Sequence, residues 1–307
     1  MIWLVFVSIA TLLDSTRIFI DNYVSDVYFK GRGAVSQKLF YGYAFIFCAI
    51  IFAFITGFDF NTDYLTNFLL FFLSGLLSSF AGIPYYRALE LDDSTNIGIF
   101  TQLAPILYLV LGWLFLNETF SPLQLLSFFI VISAPLLIVI TTRKRSRKIK
   151  IKAVFYALLY VLIAVIGNLL FVKENTTELN FLTEILFIFL GKGIGNLIIV
   201  YTRPKWRRRF YSILSSSHKK VLSPLAINTV IGFTKDIAYR LGLVMAPTVA
   251  IASAASDSAE PIVIFFLGIL LTLIWPKFGR EKLDRKTIIV HLIATILVVV
   301  GVILLQL

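Results

Sequence analysis

Residues 86–118 read YRALELDDSTNIGIFTQLAPILYLVLGWLFLNE, and a later stretch of the chain repeats their landmarks in the same order. The shared landmarks are a tyrosine–arginine pair, a proline, a glycine seven residues later and a glutamate: Tyr86, Arg87, Pro105, Gly112 and Glu118, then Tyr239, Arg240, Pro261, Gly268 and Glu281. An internal repeat in an apolar chain is typical of transporters built from two related halves, with the substrate held where the halves meet.

The composition indicates a membrane protein. The chain is 59% hydrophobic and 15% charged, whereas soluble domains have about 45–50% apolar and about 25% charged residues. Apolar runs of roughly 20 residues recur, each long enough to cross a hydrocarbon core ~30 Å thick. Lipid offers no water to free amides, so each run is predicted to be a helix. The ten predicted spans are 2–22, 36–57, 66–87, 95–116, 122–141, 153–172, 181–201, 222–243, 248–274 and 286–305.

The ten predicted helices divide at a basic loop. The predicted halves are 1–142 and 153–307, joined by the basic linker 143–152. Because each half has an odd number of helices, the second half starts on the opposite side of the membrane, and the two repeats are inverted. Such repeats can build two mirror-related gates around a site at the midplane. The predicted fold class is therefore all-α integral membrane, with ten transmembrane helices in two inverted five-helix repeats.

The net charge of +11 is best explained by membrane topology. The basic residues cluster in alternate predicted loops and at their borders: 143–152, 203–220, 277–286, and Lys30, Arg32, Lys38 and Arg87. Basic loops stay in the cytoplasm, which predicts a multi-pass protein of the cell membrane with both termini outside. The first helix has no basic leader or cleavage site, so we expect it to be retained. Membrane lipids are expected to contact the basic loops, and no nucleic-acid partner is predicted.

Several landmarks together resemble a known family. They are Ala88-Leu89, Pro105, the run GWLFLNE at 112–118 and Pro122-Leu123-Gln124. This pattern is similar to the EamA-type branch of the drug/metabolite transporter superfamily, and residues 261–283 and 301–302 match it more loosely. Asn117 stands where the family usually has glycine, and the segment from Pro261 to Glu281 is longer than its counterpart. The resemblance implies a ten-helix carrier with both termini in the cytoplasm, which leaves the orientation open.

Polar residues inside the predicted helices are the candidates for a site. A charge at the bilayer centre costs roughly 3 kcal/mol on insertion scales, so such groups face a cavity or each other. Asp14, Arg17 and Asp21 share one helical face, and Asp257 and Glu260 share another. The resemblance implies a cavity lined chiefly by helices one, three, four, six, eight and nine. The candidate substrate-binding residues are Asp14, Arg17, Tyr86, Arg87, Thr101, Gln102, Asn168, Asp236, Tyr239, Arg240, Asp257 and Glu260.

Each candidate also has a structural interpretation. Asp14, Arg17 and Asp21 could form an ion-pair network that only orients the helix, and Asp236 with Arg240 could lie at the membrane interface. Two carboxylates one turn apart repel each other, so Asp257 and Glu260 are predicted to take up a proton or a cation.

Pro105 and Pro261 are predicted hinges, because proline removes a backbone hydrogen bond and kinks a helix, although fixed kinks are equally expected. Glu118 and Glu281 are expected to be helix caps or gate salt bridges. Gly191 and Gly195 form a GxxxG pattern that predicts a close helix interface. Lys192 stands between glycines and could extend its stem toward the interface.

The sequence thus predicts a secondary active transporter that moves a small polar or zwitterionic, amino-acid-like metabolite by alternating access. Proton coupling through Asp257 or Glu260 is a further hypothesis. One alternative is a flippase for a lipid-linked polar headgroup, and another is an intramembrane enzyme acting on lipid or isoprenoid phosphates. No motif of a soluble enzyme is found, and neither an enzyme nor a cofactor nor a metal is expected. The expected partners are a small-molecule substrate and membrane lipids, and a homodimer is left open.

Overall fold

The computed structural model describes residues 2–28, 34–57, 65–91, 97, 100–101, 103–142, 150–174, 181–274 and 285–305. Over these residues the chain is helical, with no strand. The α-helices are α1 (Ile2–Val27), α2 (Lys38–Thr56), α3 (Leu65–Leu91), α4 (Ala104–Leu116), α5 (Pro122–Thr142), α6 (Ile151–Glu174), α7 (Phe181–Tyr201), α8 (Pro204–Met245), α9 (Val249–Ile274) and α10 (Arg285–Leu304). A short 3-10 helix, Ala34–Gln37, leads into α2.

Among the described helices, 8 are long and apolar enough to cross a membrane, namely α1, α2, α3, α5, α6, α7, α9 and α10. The described part of α4 has only 13 residues, fewer than the ~20 that a membrane span needs. Helix α8 is long but is not among the helices that qualify by length and composition. The predicted all-α membrane fold is confirmed, whereas the predicted number of ten spans is not.

The largest departure from the sequence-based prediction is in α8. The segment 203–220 was predicted to be a loop, but α8 begins at Pro204 and continues for 42 residues. Proline is favourable in a first helical turn because its missing N–H has no intrahelical partner there. At 1.5 Å per residue, the helix is about 63 Å long, roughly twice the hydrocarbon thickness. The predicted span 222–243 is therefore only the C-terminal half of a longer helix.

The helices form two compact units. Unit 1 contains Met1–Phe19, Arg87–Val161 and Thr234–Leu307, and unit 2 contains Ile20–Tyr86 and Leu162–Phe233. The unit boundaries fall within α1, α3, α6 and α8, and they do not follow the predicted halves 1–142 and 153–307. Compactness and internal repetition are different properties of a chain, so the two inverted repeats stay a prediction.

Within unit 2, helices α3 and α7 approach until their backbones touch. A Cβ atom on Gly191 would overlap the carbonyl oxygen of Phe72, and one on Gly75 would overlap the carbonyl oxygen of Ile188. Gly195 makes a further close approach to α3. The helix interface predicted from the GxxxG pattern of Gly191 and Gly195 is confirmed, because only residues without a side chain allow this separation.

Within unit 1, α1 and the end of α8 pack antiparallel. A Cβ atom on Gly242 would meet the Val7 side chain, while Lys235 forms an ion pair with Asp14. The two contacts are seven residues apart on each helix, which corresponds to about 10.5 Å along both axes. The glycine contact therefore fixes the register that brings Lys235 beside Asp14.

Helix α4 explains two features of the sequence. Pro105 lies in the first turn of the described helix, where proline breaks no intrahelical hydrogen bond, and the hinge at this position stays a prediction. Pro261 does lie inside α9.

Helix α4 is followed directly by its C-cap residue Asn117, whose φ of 54° is left-handed. Glycine and asparagine are the residues that tolerate this conformation, which accounts for the departure from the family's glycine.

Candidate functional site

Asp14 is the centre of a charged cluster in unit 1. Its Oδ1 accepts a hydrogen bond of 3.3 Å from Nη1 of Arg17. Its Oδ2 lies 3.0 Å from Nζ of Lys235, and the same Nζ lies 3.8 Å from Oδ1 of Asp236. The predicted pairing of Asp14 with Arg17 is confirmed, and Asp14 has two cationic partners.

Helix α9 adds a stripe of polar side chains to unit 1. The hydroxyl of Ser253, which is fully buried, donates a hydrogen bond of 2.9 Å to Oδ2 of Asp257. Asp257 and Glu260 are half-buried. No Lys, Arg or His side chain in the described part of the chain lies within ion-pairing distance of Asp257 or Glu260. These two carboxylates therefore differ from Asp14, which is neutralised by neighbouring cations.

The stripe on α9 lies next to the Asp14 cluster. The hydroxyl groups of Thr11 in α1 and Ser256 in α9 form a hydrogen bond, with their oxygens 3.0 Å apart. Glu260 lies within electrostatic reach of Asp14, Asp257 and Lys235. Among the described residues of this region, the carboxylates are Asp14, Asp236, Asp257 and Glu260, and the cations are Arg17, Lys235 and Arg240. These carboxylates outnumber these cations by one.

Aromatic and basic side chains on α8 complete the region. Nζ of Lys235 lies 5.7 Å from the ring centroid of Tyr239, within the range of a cation–π contact. The Tyr239 side chain is also close to Tyr108 and Asp257. Asp236 and Arg240 were left open as interfacial residues, but their exposed fractions are 8% and 3%. Both residues are buried within the protein, and the interfacial interpretation stays a prediction.

The remaining predicted site residues are divided between the two units. Arg87 and Thr101 belong to unit 1, and Arg87 is exposed. Tyr86 and Asn168 belong to unit 2. Gln102 lies outside the described residues, as does Glu281.

Two lysines that are not among the predicted site residues have buried or acidic partners. Lys235 lies in the predicted span 222–243, and it is the ion-pair partner of Asp14. Lys38 was counted among the loop cations, but it is the first residue of α2 and is only 9% exposed. Its Nζ donates to the Ser79 carbonyl oxygen at 3.1 Å and to Oδ1 of Asn196 at 3.2 Å. In the sequence, the feature that points to Lys235 is its neighbour Asp236, which lies four residues before Arg240.

Glu118 caps the start of α9. The backbone N–H of Val249, the first residue of α9, donates to Oε1 of Glu118 at 2.6 Å. A carboxylate is favourable there because a helix N-terminus has free N–H groups and a positive dipole end. Burial raises the pKa of Glu118, and its backbone hydrogen bonds oppose that shift. A Cβ atom on Gly112 would overlap the Glu118 carboxylate. The predicted cap is confirmed, and the glycine leaves room for it.

Comparisons with known proteins agree with this fold. The sequence model of the EamA-like transporter family matches residues 30–140. No curated protein matches the chain. A solved protein crystal structure matches with a TM-score of 0.63 at 14% sequence identity, covering 97% of this chain and 98% of that chain. At this identity the likeness shows the fold alone. The predicted resemblance is confirmed, since residues 30–140 match the EamA-like transporter family, part of the drug/metabolite transporter superfamily, within an all-helical membrane fold.

Proposed function

We propose that the protein is a secondary active transporter that moves a small polar or zwitterionic, amino-acid-like metabolite across the cell membrane by alternating access. The observation that carries the proposal is the pair Asp257 and Glu260, carboxylates with no ion-pair partner among the described residues. In this proposal the basic loops are cytoplasmic and both termini are outside. A carboxylate inside a membrane is costly unless a cation or a proton neutralises it.

The substrate's amino group is expected to bind at Asp257 and Glu260. Asp14 is the less suitable anion, because Arg17 and Lys235 already neutralise it. The hydrogen bond from Ser253 holds the Asp257 carboxylate in place, so an ammonium group would meet an oriented acceptor. The substrate's carboxylate would then be placed near the basic side chains of the same unit, Arg17 and Arg240.

Proton coupling follows from the same two carboxylates. Without substrate, a proton on Asp257 or Glu260 offsets the cost of burying the charge. A bound ammonium group makes the ionised form favourable, so substrate and proton compete for the same oxygens. The proposed cycle is therefore an exchange of a proton for the cationic group of the substrate.

Counterflow of labelled amino acids in proteoliposomes tests the proposal. We expect exchange by the wild type and a decrease of about tenfold or more in Asp257→Asn and Glu260→Gln, because each loses a charge-assisted contact worth at least ~1.4 kcal/mol. Glu118→Gln is the matched control, since it removes a carboxylate that caps a helix. Undiminished exchange in both variants would contradict the proposed site. Turnover of a lipid phosphate in detergent, or movement of a lipid-linked headgroup, would favour the alternatives.

A further inference from the structure

Three exposed tyrosines of unit 2 bring their hydroxyl groups together. The hydroxyl oxygens of Tyr43 in α2 and Tyr201 in α7 are 2.6 Å apart. The side chain of Tyr211 in α8 forms hydrogen bonds with both of them. All three residues belong to unit 2, and their exposed fractions are 48%, 41% and 46%. These residues form the tyrosine cluster, which presents phenolic O–H groups at the surface of the protein.

Arg207 places a permanent positive charge beside the tyrosine cluster. Its guanidinium carbon lies 5.4 Å from the ring centroid of Tyr201, within the range of a cation–π contact. Arg207 precedes Tyr211 by four residues on α8, so the two side chains lie on one face of that helix. No carboxylate in the described part of the chain pairs with Arg207. Its charge is therefore available to an anion that reaches the three hydroxyls.

The segments that carry these residues contain no acidic side chain. Neither aspartate nor glutamate occurs in α2 or between residues 185 and 233, which include the end of α7 and the unit 2 part of α8. Residues 203–209 instead read RPKWRRR, with five cations. An anion that approaches the tyrosine cluster is therefore attracted by these segments and is not repelled by a carboxylate on them.

The tyrosine cluster lies at the ends of two membrane-spanning helices. Tyr201 is the last residue of α7, and Tyr43 lies five residues after the start of α2, which is about 7.5 Å along the helix axis. Their contact shows that the start of α2 lies beside the end of α7. Tyrosine is enriched at this depth of a membrane, where the lipid headgroups lie. The anions at that depth are the phosphate groups of lipids.

We propose that the tyrosine cluster and Arg207 form a binding site for the phosphate group of an anionic phospholipid. A phenolic hydroxyl is protonated at neutral pH and can donate a hydrogen bond to a phosphate oxygen. The guanidinium group adds a charge-assisted hydrogen bond, and its planar arrangement of N–H groups matches phosphate geometry. Three neutral donors and one cation suit a phosphodiester, which has several acceptor oxygens and one negative charge.

This site differs from a general attraction between basic segments and anionic membranes. The general attraction depends on the number of cations, whereas the tyrosine cluster contributes hydroxyl groups that carry no charge. Removing hydroxyls at constant net charge therefore separates the two effects. The site is also distinct in its residues from the proposed substrate site, because Asp257 and Glu260 belong to unit 1. The inference stands whether or not the protein carries an amino acid.

The first test measures the melting temperature of the full chain in micelles of a neutral detergent at constant ionic strength. A ligand that binds only the folded state raises this temperature by mass action. We expect a saturable rise with added phosphatidylglycerol, relative to the same mole fraction of phosphatidylcholine, and no rise with inorganic phosphate. Equal temperatures with the two lipids would overturn the proposal. A rise with inorganic phosphate as large as that with phosphatidylglycerol would identify a soluble anion and overturn the lipid assignment.

Variants locate the effect. Arg207→Gln, and the double change Tyr201→Phe with Tyr211→Phe, each remove hydrogen bonds to a charged group, so we expect the half-maximal phosphatidylglycerol concentration to rise about fivefold or more. Arg208→Gln is the matched control for charge, because Arg208 is an exposed arginine next to Arg207. Tyr156→Phe removes a hydroxyl from a partly buried tyrosine of unit 1 and is the matched control for the double change. An unchanged response of the tyrosine double variant, or equal shifts in site and control variants, would overturn the proposal.

Direct binding keeps the proposal testable if the variants do not fold. Native mass spectrometry of the wild type, released from micelles that contain equal amounts of the two lipids, measures which lipid stays bound. We expect the folded protein to retain phosphatidylglycerol in preference to phosphatidylcholine. Retention of the two lipids in equal proportion would overturn the proposal without recourse to any substitution.

Discussion

Asp14 and Asp21 both belong to α1, but their surroundings differ. In unit 1, Asp14 contacts the cations Arg17 and Lys235 at 3.3 and 3.0 Å. In unit 2, Asp21 accepts hydrogen bonds from neutral hydroxyl and amide groups, with Tyr41 at 2.8 Å. The first arrangement neutralises the negative charge locally, whereas the described hydrogen bonds of the second stabilise it through neutral donors. Two acidic residues of one helix thus have described partners of different kinds.

A second contrast lies within unit 1. Asp14 is paired, while Asp257 has a hydrogen bond only from Ser253 and Glu260 has none from any described residue. Removing one member of a buried ion pair leaves the other charge unpaired in a medium of low dielectric constant, which destabilises the fold. Removing a buried charge that has no partner instead eliminates its desolvation penalty. Substitutions in the two groups should therefore shift stability in opposite directions.

The largest effect is expected for Lys235→Met. A fully buried pair that loses one partner costs about 3–5 kcal/mol, and we expect about 2–3 kcal/mol here because both side chains retain some exposure. Unfolding in detergent measures the change, and the double variant with Asp14→Asn should recover more than half of it. Lys220→Met is the control, since Lys220 is an exposed lysine of the same helix. Equal stability of the two lysine variants would remove the basis of the comparison.

A smaller effect is expected for Tyr41→Phe in unit 2. This change removes the hydroxyl that bridges Asp21 and Asn228, and a hydrogen bond to a charged group contributes about 1.5–3 kcal/mol. Because the hydroxyl that is removed carries no charge, the loss should depend little on salt. Tyr43→Phe is the control, because its hydroxyl meets Tyr201 at an exposed position. The comparison weakens if both phenylalanine variants melt at the same temperature.

Asp257→Asn and Glu260→Gln should not destabilise the protein. Each removes a half-buried charge that has no ion-pair partner among the described residues, so we expect no change or a gain of up to about 1 kcal/mol. The same unfolding assay measures this, with Asp14→Asn as the contrasting variant. A loss as large as that of Asp14→Asn would mean that the two groups of carboxylates are equivalent.

The smallest effect concerns pH and Glu118. Since burial raises the pKa of Glu118, the folded protein binds a proton there more tightly than the unfolded chain does. Stability from this group is then present at low pH and falls as pH rises from the ordinary value of about 4.3 through the raised one. Glu118→Gln should gain stability relative to wild type over that interval, by a few tenths of a kcal/mol to about 1 kcal/mol. A difference that does not change with pH would contradict this.

The membrane fold could be predicted from composition alone, because the apolar runs are long and lipid permits only helices. Glu118 as a cap and the glycine interface were also predictable, since both depend on local spacing. The start of α8 was not, because Lys and Arg between 205 and 220 are typical of a loop as well as of an exposed helix. A run of basic residues does not by itself mark the start or the end of a helix.

The partners of the charged residues were less predictable than their presence. Asp14 and Arg17 are neighbours on one helix, so their pairing follows from a spacing of three. The Asp14–Lys235 pair instead depends on the register between α1 and α8, set by Gly242 against Val7. A single sequence does not show how two helices are aligned along their axes. For the same reason, the assignment of Asp21 to the Tyr41 and Asn228 cluster needed coordinates.

The most direct test of the substrate site compares a transported amino acid with its two truncated relatives, one lacking the amino group and one lacking the carboxylate. The measurement is the ligand-induced rise in melting temperature of the purified protein. The account predicts a rise with the amino acid and the amine, none with the deaminated acid, and no response to any of them in Asp257→Asn or Glu260→Gln. Equal rises with the deaminated acid, or unchanged responses in both variants, would contradict it.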